Sequence, residues 1–279
     1  MIPHEPAAAA GWQATLELGF ALRDGATVLA RRAHAGPLRV QRPFYPEGGV
    51  CHAIVLHPPA GICGGDRLAI GIGVEAGAQT LITTPGAGKW YRSAGPEAAQ
   101  TLEFRVGAGA ALEWLPQESI VYDGARARMS ARVELESGAR FLGWEIVCLG
   151  RRASGERFRR GWLGLGTRIV RDGRPLWFEQ GLVEGGSPLL EAPAVLGGAG
   201  VFGSFIAAGA DIDQELLAAC RRPAPEQGQG AVTRLPGLLV ARYAGDEPEA
   251  ARRYFCELWG LLRPALLGRV AIPPRIWST

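Results

Sequence analysis

A short pattern recurs three times at nearly constant spacing in the first half of the sequence. Each copy places an apolar residue and two variable residues before Gly-Ala and an apolar run: VEAGAQTLITTP (74–85), VGAGAALEWLPQ (106–117) and LESGARFLGWEI (135–146). The shared glycines, Gly77, Gly109 and Gly138, are 32 and 29 residues apart. A period of this length is typical of stacked supersecondary units, such as the coils of a β-solenoid. A glycine-rich β-sandwich in which Gly-Ala turns recur by chance is the alternative.

From about Trp12 to Leu182 the sequence consists of short apolar or alternating runs separated by glycine-containing turns. Most runs are five to eight residues long and rich in Val, Ile, Thr and aromatic residues, which is typical of strands. A later turn at Asp172-Gly173 precedes RPLWFEQ in a similar way. We therefore expect a mainly β fold with a β-helix or solenoid-like body of many short strands over about residues 12–205.

The last third of the chain predicts a small α-helical part. DIDQELLAACRR (211–222) begins with Asp211 as the expected N-cap and has Gln214 at the capping-box position. A longer helix is expected over about residues 246–263, with Pro248 in its first turn and Pro264 at its end. Its apolar residues form one stripe that would pack on the β body or, alternatively, into the groove of a partner. The intervening APEQGQG predicts a mobile loop, and the 279 residues are expected to form one domain.

Composition excludes several classes of protein. Hydrophobic residues make up 47% of the chain, which is too many for a disordered protein, so the 40 glycines and 20 prolines indicate many turns. The net charge of +3 is smaller than a nucleic-acid-binding protein usually carries. The longest uncharged run, residues 192–210, is interrupted by glycines and a proline, which argues against a membrane span.

The cysteines and the N-terminal sequence indicate a cytoplasmic protein. The five cysteines are odd in number and widely spaced, without a CxxC pair, which suits reduced thiols better than a disulfide framework. The first residues, MIPHEPAAAAGW, have neither a basic nor an apolar segment of a secretory signal.

The familiar catalytic motifs are missing or incomplete. TPGAGKWYRS (84–93) follows a strand, but Thr83 stands where a phosphate-binding loop needs its first glycine, and Trp90 stands where it needs a hydroxyl. No GxSxG motif is present, and all four histidines lie in the first fifth of the chain, which disfavours a Cys–His nucleophile pair. We therefore expect a protein that is not an enzyme.

The stretch CHAIVLHPPAGICGGDR (51–67) raises the question of a metal site. Cys51 and His52 are adjacent and would point to opposite faces of a strand, whereas His57 would share a face with Cys51. A closed zinc site needs more convergent ligands than this spacing supplies. We expect a strand that ends at Pro58-Pro59 and a Gly-rich turn, with a weak or transient metal contact as the alternative.

Two further groups of charges need an explanation. RRASGERFRR (151–160) would form a basic face as a strand pair around Ser154-Gly155, and solvated surface or a protein contact is favoured there over nucleic acid. Several carboxylates lie in apolar surroundings, where burial without a partner is unfavourable. Each of these is expected either to pair with an arginine or to line a polar passage: Asp66, Glu113, Glu118, Asp123, Glu145 and Glu179.

Long motifs in one order make the chain resemble the urease accessory protein UreD (UreH) family from about Gly36 to the C-terminus. The matching stretches are GPLRVQRPFYPEG (36–48), HPPAGICGGDRL (57–68), TTPGAGKWYRS (83–93), LEWLPQESIVYDGA (112–125), GWEIVCLGRRASGERF (143–158), ELWGLLRP (257–264) and PPRIWST (273–279). Cys63 and Gly88 depart from the family pattern, which makes Cys63 a poor choice for an essential ligand.

The resemblance implies a non-catalytic maturation factor with a β-helix-like body and a small helical part. It implies the partners urease apoprotein, UreF and, through UreF, the GTPase UreG, with no nucleic acid or membrane involved. It also implies assistance in nickel delivery, with no tightly bound cofactor and only transient nickel(II). A purely structural adaptor without nickel contact, or an unrecognised β-rich enzyme, are the alternatives.

A nickel route of this kind predicts ligands that bind weakly enough to release the ion. Nickel(II) accepts imidazole and carboxylate ligands. The expected lining is Asp66, Glu145 and Glu179, then Glu118 and Asp123, with His57 in reserve.

Overall fold

The structure is a computed structural model that describes residues 11–278. Residues 1–10 of the N-terminal stretch, including His4, lie outside the described residues, as does Thr279. The strands are β1 (Gln13–Arg23), β2 (Ala26–Ala35), β3 (Arg39–Val40), β4 (Cys51–Leu56), β5 (Arg67–Val74), β6 (Gln79–Thr83), β7 (Gly88–Trp90), β8 (Ala98–Val106), β9 (Ala111–Trp114), β10 (Ser119–Val121), β11 (Arg126–Leu135), β12 (Arg140–Leu149), β13 (Trp162–Arg171), β14 (Arg174–Glu184), β15 (Val201–Ala208), β16 (Gln229–Leu235) and β17 (Leu238–Gly245). The helices are α1 (Gln214–Cys220) and α2 (Pro248–Leu267), and short 3-10 turns occur at Arg152–Ser154, Pro188–Glu191 and Arg275–Ser278.

The strands form two sheets that enclose a common interior. The first sheet has the order β14-β13-β11-β8-β5-β1-β2, and the second has the order β16-β17-β15-β12-β9-β6-β4-β3, with β10 paired to β12 and β7 paired to β10. Strands β1, β5, β8, β11 and β13 are parallel, as are β4, β6, β9 and β12. The chain alternates between the sheets, so each circuit adds one strand to each. This arrangement confirms the β-solenoid and excludes the sandwich alternative.

The three Gly-Ala turns stack where the chain passes from the first sheet to the second. Gly77, Gly109 and Gly138 all have φ near +70°, a left-handed conformation that glycine adopts without strain. The Gly77 N–H donates to Ala108 at 3.0 Å, and the Gly109 N–H donates to Ser137 at 3.0 Å, so each turn is hydrogen-bonded to the next. Each copy of the sequence repeat therefore forms the same backbone turn in successive coils of the solenoid.

The turn at Asp172-Gly173 ends the solenoid instead of extending it. Strand β14 folds back antiparallel on β13 in the same sheet, with both turn residues at positive φ. The expectation of a similar unit at this point is wrong, because two consecutive residues at positive φ form a tight hairpin rather than a crossover. At the same end, β15, β17 and β16 extend the second sheet in antiparallel fashion.

The C-terminal third contains more strand and different helix ends than the sequence indicates. Strands β16 and β17 lie between the helices and were not predicted, whereas residues 224–228 of the expected APEQGQG loop are irregular backbone. Helix α1 begins after Asp213, whose carboxylate accepts from Leu216 N–H at 2.7 Å, so the prediction of Asp211 as the cap is wrong. Ile212 is buried ahead of the helix, and this anchor sets the later start. Helix α2 continues through Pro264 to Leu267, so the predicted end at the proline is also wrong.

Helix α2 packs on the outer face of the second sheet. Phe255, Leu258 and Leu262 are fully buried against residues such as Trp144 and Phe205. Each such side chain contributes about 1.5–3 kcal/mol when removed from water. This packing explains the apolar stripe of α2 as an internal contact.

The opposite face of the second sheet points into the solenoid. Along β12, Phe141, Val147 and Leu149 join the core between the sheets, whereas Leu142 and Trp144 join the core under α2. Because successive strand residues point to opposite faces, odd positions of β12 face the interior and even positions face the helix. This alternation decides where each charged residue of the strand points.

The strand pair expected for the arginine-rich stretch 151–160 is wrong. The stretch forms a 3-10 turn at Arg152–Ser154, followed by irregular backbone. The Arg151 side chain pairs with Glu156 at 2.7 Å and lies over the Tyr122 ring, which holds the stretch in a compact loop. Within residues 11–278, no helix is both long enough and apolar enough to cross a membrane.

Candidate functional site

Two cavities lie between the sheets and meet at one carboxylate. The larger, of about 570 Å³, extends toward the edge strands β14 and β16, and the smaller, of about 380 Å³, extends toward β4 and β7. Both are lined by Leu102, Trp114, Ala131 and Glu145, of which only Glu145 is charged. Glu145 is therefore the one charged residue of the described chain that lines both cavities.

A polar row crosses the larger cavity from Glu145 to its edge. Glu145 on β12 is paired in register with Ser204 on β15, which is paired with Arg242 on β17. The Arg242 guanidinium donates to Ser204 Oγ at 3.3 Å and forms an ion pair with Glu179 of β14 at 2.7 Å. The row thus connects two of the predicted carboxylates through a serine and an arginine.

Glu145 is the carboxylate in this row without a partner. Its side chain is partly exposed and lines both cavities, and it accepts no hydrogen bond from the described residues. Burial raises its pKa from 4.5 to about 7, because no nearby cation or donor stabilises the charged form. Near neutral pH this group therefore exchanges readily between a neutral acid and a carboxylate anion.

His57 lines the smaller cavity and also has an unused ring nitrogen. Its Nε2 atom is buried and has no hydrogen-bond partner within the described part of the chain. Burial lowers the pKa of His57, although the nearby Asp66 acts in the opposite direction. The ring is therefore neutral at physiological pH, which is the form that binds metal ions.

Asp66 supports the turn beside His57 and does not line either cavity. Its Oδ1 accepts from the Trp12 N–H at 2.7 Å, and its Oδ2 accepts from the Cys63 N–H at 2.8 Å. Both oxygens of this buried carboxylate are therefore engaged by backbone. The strand that ends at Leu56 and the turn after Pro58-Pro59 are as expected from sequence.

The remaining two predicted residues lie apart from the cavities. Asp123 is at a corner of the solenoid, where its Oδ2 pairs with Arg160 at 3.0 Å and its Oδ1 accepts two backbone N–H groups. Glu118 is partly exposed next to β10 and is not among the cavity-lining residues. The structure thus groups Glu145 with Glu179 in one cavity and with His57 in the other.

A buried ion-pair cluster on the helix side of the second sheet was not anticipated as a unit. Arg263 of α2 is fully buried and pairs with Glu113 at 3.0 Å and with Glu47 at 2.5 Å. The Trp259 indole donates to Glu113 at 2.6 Å, and His52 contacts Glu47 at 2.6 Å. The signal in the sequence is Arg263 itself, which falls on the apolar stripe of the helix next to Leu262.

Burial affects the two carboxylates of this cluster differently: it raises the pKa of Glu113 by more than Arg263 and Trp259 lower it. Burial acts to raise the pKa of Glu47, but the hydrogen bonds and charges of Arg263 and His52 outweigh it and lower the pKa. Burial lowers the pKa of His52, so this ring is neutral. The cluster is therefore a structural clamp that holds α2 on the sheet.

The cavity carboxylate gives a prediction for stability. Because the folded-state pKa of Glu145 is raised, its protonation favours the folded state fully below about pH 4.5, and this contribution is lost as pH rises through about 7. We expect Glu145→Gln to increase the free energy of unfolding at pH 8 by about 2 kcal/mol, less than the full shift implies because water in the cavity screens the charge. At pH 4 the difference should vanish. Urea unfolding at both values measures it, with the outward-facing Glu103→Gln as control.

Within residues 11–278 no group of three or more His, Cys, Asp or Glu side chains is arranged to hold a metal ion. Lys89 is followed by strand rather than by a helix N-terminus, so the stretch 84–93 cannot cradle a phosphate as a nucleotide-binding loop does. Fold and site together define a β-solenoid protein with two interior cavities that share Glu145 and with a helix clamped to one side.

Comparison with known proteins gives the family. The model of the UreD urease accessory protein family matches residues 13–278. A urease accessory protein UreD from Azoarcus sp. strain BH72 is 56% identical over 274 residues, covering 98% of this chain and 96% of the relative. Relatives of the same name from Dechloromonas aromatica and Pseudomonas fluorescens Pf-5 are 52% and 51% identical, with 99% and 96% of this chain and 97% and 95% of the relatives covered. The chain belongs to the UreD urease accessory protein family, which supports a role in urease maturation.

Proposed function

We propose that this chain is a non-catalytic urease maturation factor that assists nickel insertion into the urease active site. It bridges the urease apoprotein to UreF, through which the GTPase UreG joins the assembly, and nickel(II) passes through its interior. The observation that carries the proposal is Glu145, an unpartnered carboxylate at the junction of two cavities. Nickel is the cargo in this scheme, and the chain holds no cofactor of its own.

The chemistry of the passage suits a borderline divalent ion that must be released again. Glu179 shares its charge with Arg242, so an entering cation must compete with a guanidinium at 2.7 Å and is held weakly. Glu145 supplies a free carboxylate at the centre, and His57 supplies a neutral imidazole beyond it. Carboxylate and imidazole are both accepted by nickel(II). Widely spaced single ligands allow a stepwise transfer that a closed site would prevent.

Reconstitution of urease activation tests the proposal. Purified apoprotein, UreF, UreG, nickel and bicarbonate are combined with the wild-type chain, with Glu145→Gln or with Glu179→Gln. The nickel content per urease active site is then measured over time by elemental mass spectrometry. We expect Glu145→Gln to slow nickel incorporation by about ten-fold, equivalent to about 1.4 kcal/mol in the barrier. Glu179→Gln should have a smaller effect, because that carboxylate is already paired.

The control is Glu103→Gln, which removes a carboxylate from the outward-facing side of β8 on the same body. Complex formation, measured by size-exclusion chromatography, must be unchanged in every variant. Wild-type nickel incorporation by Glu145→Gln in intact complexes would refute the passage. In that case the chain would act as a structural adaptor only.

A further inference from the structure

The loops at one corner of the solenoid stack in the same manner as the Gly-Ala turns. The Ser93 N–H donates to Gly124 at 3.1 Å, and the Gly124 N–H donates to Arg160 at 2.9 Å. Gly161 is at φ +87°, and a Cβ there would meet the Ala125 carbonyl at 2.0 Å. The corner is thus a rigid ladder of backbone, so side chains that it carries have fixed starting points.

Five exposed arginines project from this ladder, and they are called the arginine corner: Arg92, Arg126, Arg157, Arg159 and Arg160. Only Arg160 has a carboxylate partner, Asp123, at 3.0 Å. Arg92 and Arg126 donate to backbone carbonyls alone. The side chains of Arg157 and Arg159 make no ion pair or hydrogen bond with any residue in the described range. Four guanidinium groups on one rigid surface therefore lack a counter-charge.

We propose that the arginine corner binds a carboxylate-rich segment of a protein partner. Guanidinium groups pair with carboxylates in a bidentate manner, and a surface that is already ordered loses less entropy on binding. The inference goes beyond the proposed function, which assigns no docking surface, and rests on that function only for the choice of urease apoprotein as one probe.

The local charges favour a protein over a nucleic acid as the partner. Glu97, Asp123 and Glu156 lie among the arginines and would repel the continuous phosphates of a duplex. A nucleic-acid surface also needs a larger uninterrupted basic area than four unpaired side chains give. A partner with discrete carboxylates can place each one opposite a free guanidinium and avoid these acids.

Charge reversal tests the inference. The variant R157E/R159E changes two exposed side chains without partners, so it should fold normally, and R92E/R126E provides a second pair. The matched control is R31E/R32E, which makes the same charge change on β2, at the far edge of the first sheet. Binding of a fluorescent octaglutamate peptide, of urease apoprotein and of a 20-base-pair duplex is titrated at low and at physiological salt.

We expect R157E/R159E to bind both the peptide and the apoprotein at least about ten-fold more weakly, with a shallower salt dependence, while R31E/R32E stays within about two-fold of wild type. The inference is overturned if R157E/R159E binds the peptide as wild type does, if it keeps wild-type affinity for an apoprotein that the wild-type chain binds, if the control loses as much, or if the duplex binds more tightly than the peptide. If the wild-type chain binds the peptide as expected but no apoprotein, the proposed function fails and the peptide result still decides this inference.

Discussion

Closing the junction between the two cavities should stop nickel delivery without preventing assembly. Ala131 lines both cavities and faces the interior, so Ala131→Phe would place a phenyl ring in the shared space beside Glu145. Because the ring enters open volume rather than a packed core, the expected loss of stability is small. We expect nickel incorporation in the reconstituted system to fall by more than about ten-fold while the complex still forms.

A matched substitution on the outer face of the same sheet distinguishes blocking of the cavities from the general effect of adding a phenyl ring. Ala69 of β5 is exposed and faces outward, and Ala69→Phe should leave nickel incorporation unchanged. The measurement is nickel content of urease isolated from each assembly at fixed times. Normal loading with Ala131→Phe in an intact complex would show that nickel travels by another route.

Removing the arginine from the helix clamp should have the largest effect on folding. Arg263→Met leaves Glu113 and Glu47 facing each other in a buried site without their shared cation, and breaking such a pair costs about 3–5 kcal/mol. Urea unfolding followed by circular dichroism measures the loss. The expected effect also extends to the C-terminus, because Arg263 donates to the Val270 carbonyl and Trp277 packs against Trp259. The tail should become accessible to protease before the rest of the chain.

The same helix offers the control for this prediction. Arg253 is exposed and pairs with Glu226 at 2.7 Å on the surface, so Arg253→Met should cost less than about 1 kcal/mol. Adding Glu113→Gln to Arg263→Met should restore part of the stability, because one of the two buried carboxylates that have lost their arginine is then removed. Equal unfolding midpoints for Arg263→Met and Arg253→Met would contradict the assignment of the cluster as a clamp.

The solenoid could be predicted from the sequence because its determinants are local. Each Gly-Ala turn needs a residue at positive φ, and glycine marks that need within a few positions of the strand that follows. Strands β16 and β17 were missed for the opposite reason. Their hairpin extends a sheet through β15, and that pairing joins residues far apart in the chain. A local pattern does not show which edge is available.

The candidate site could be predicted only in part, because sequence does not show which way a carboxylate points. Glu113 and Glu145 both lie in apolar strands and look equivalent in the sequence. In the structure Glu113 faces α2 and pairs with Arg263, whereas Glu145 faces the interior and pairs with no residue between 11 and 278. The difference depends on which face of the second sheet the helix covers. The Arg263–Glu113 contact spans 150 residues of sequence, beyond the reach of any local pattern.

The stacked turns also mean that the length of the solenoid can change only in fixed steps. Every complete coil adds one strand to each sheet, and neighbouring strands are about 4.8 Å apart, so the separation between the two ends changes only in steps of that size. A one-residue insertion within a strand would turn inward side chains outward, whereas insertion of a whole coil preserves every facing. Changes in the length of this body are therefore restricted to whole coils. The distance between surfaces at its two ends is a whole number of coil spacings.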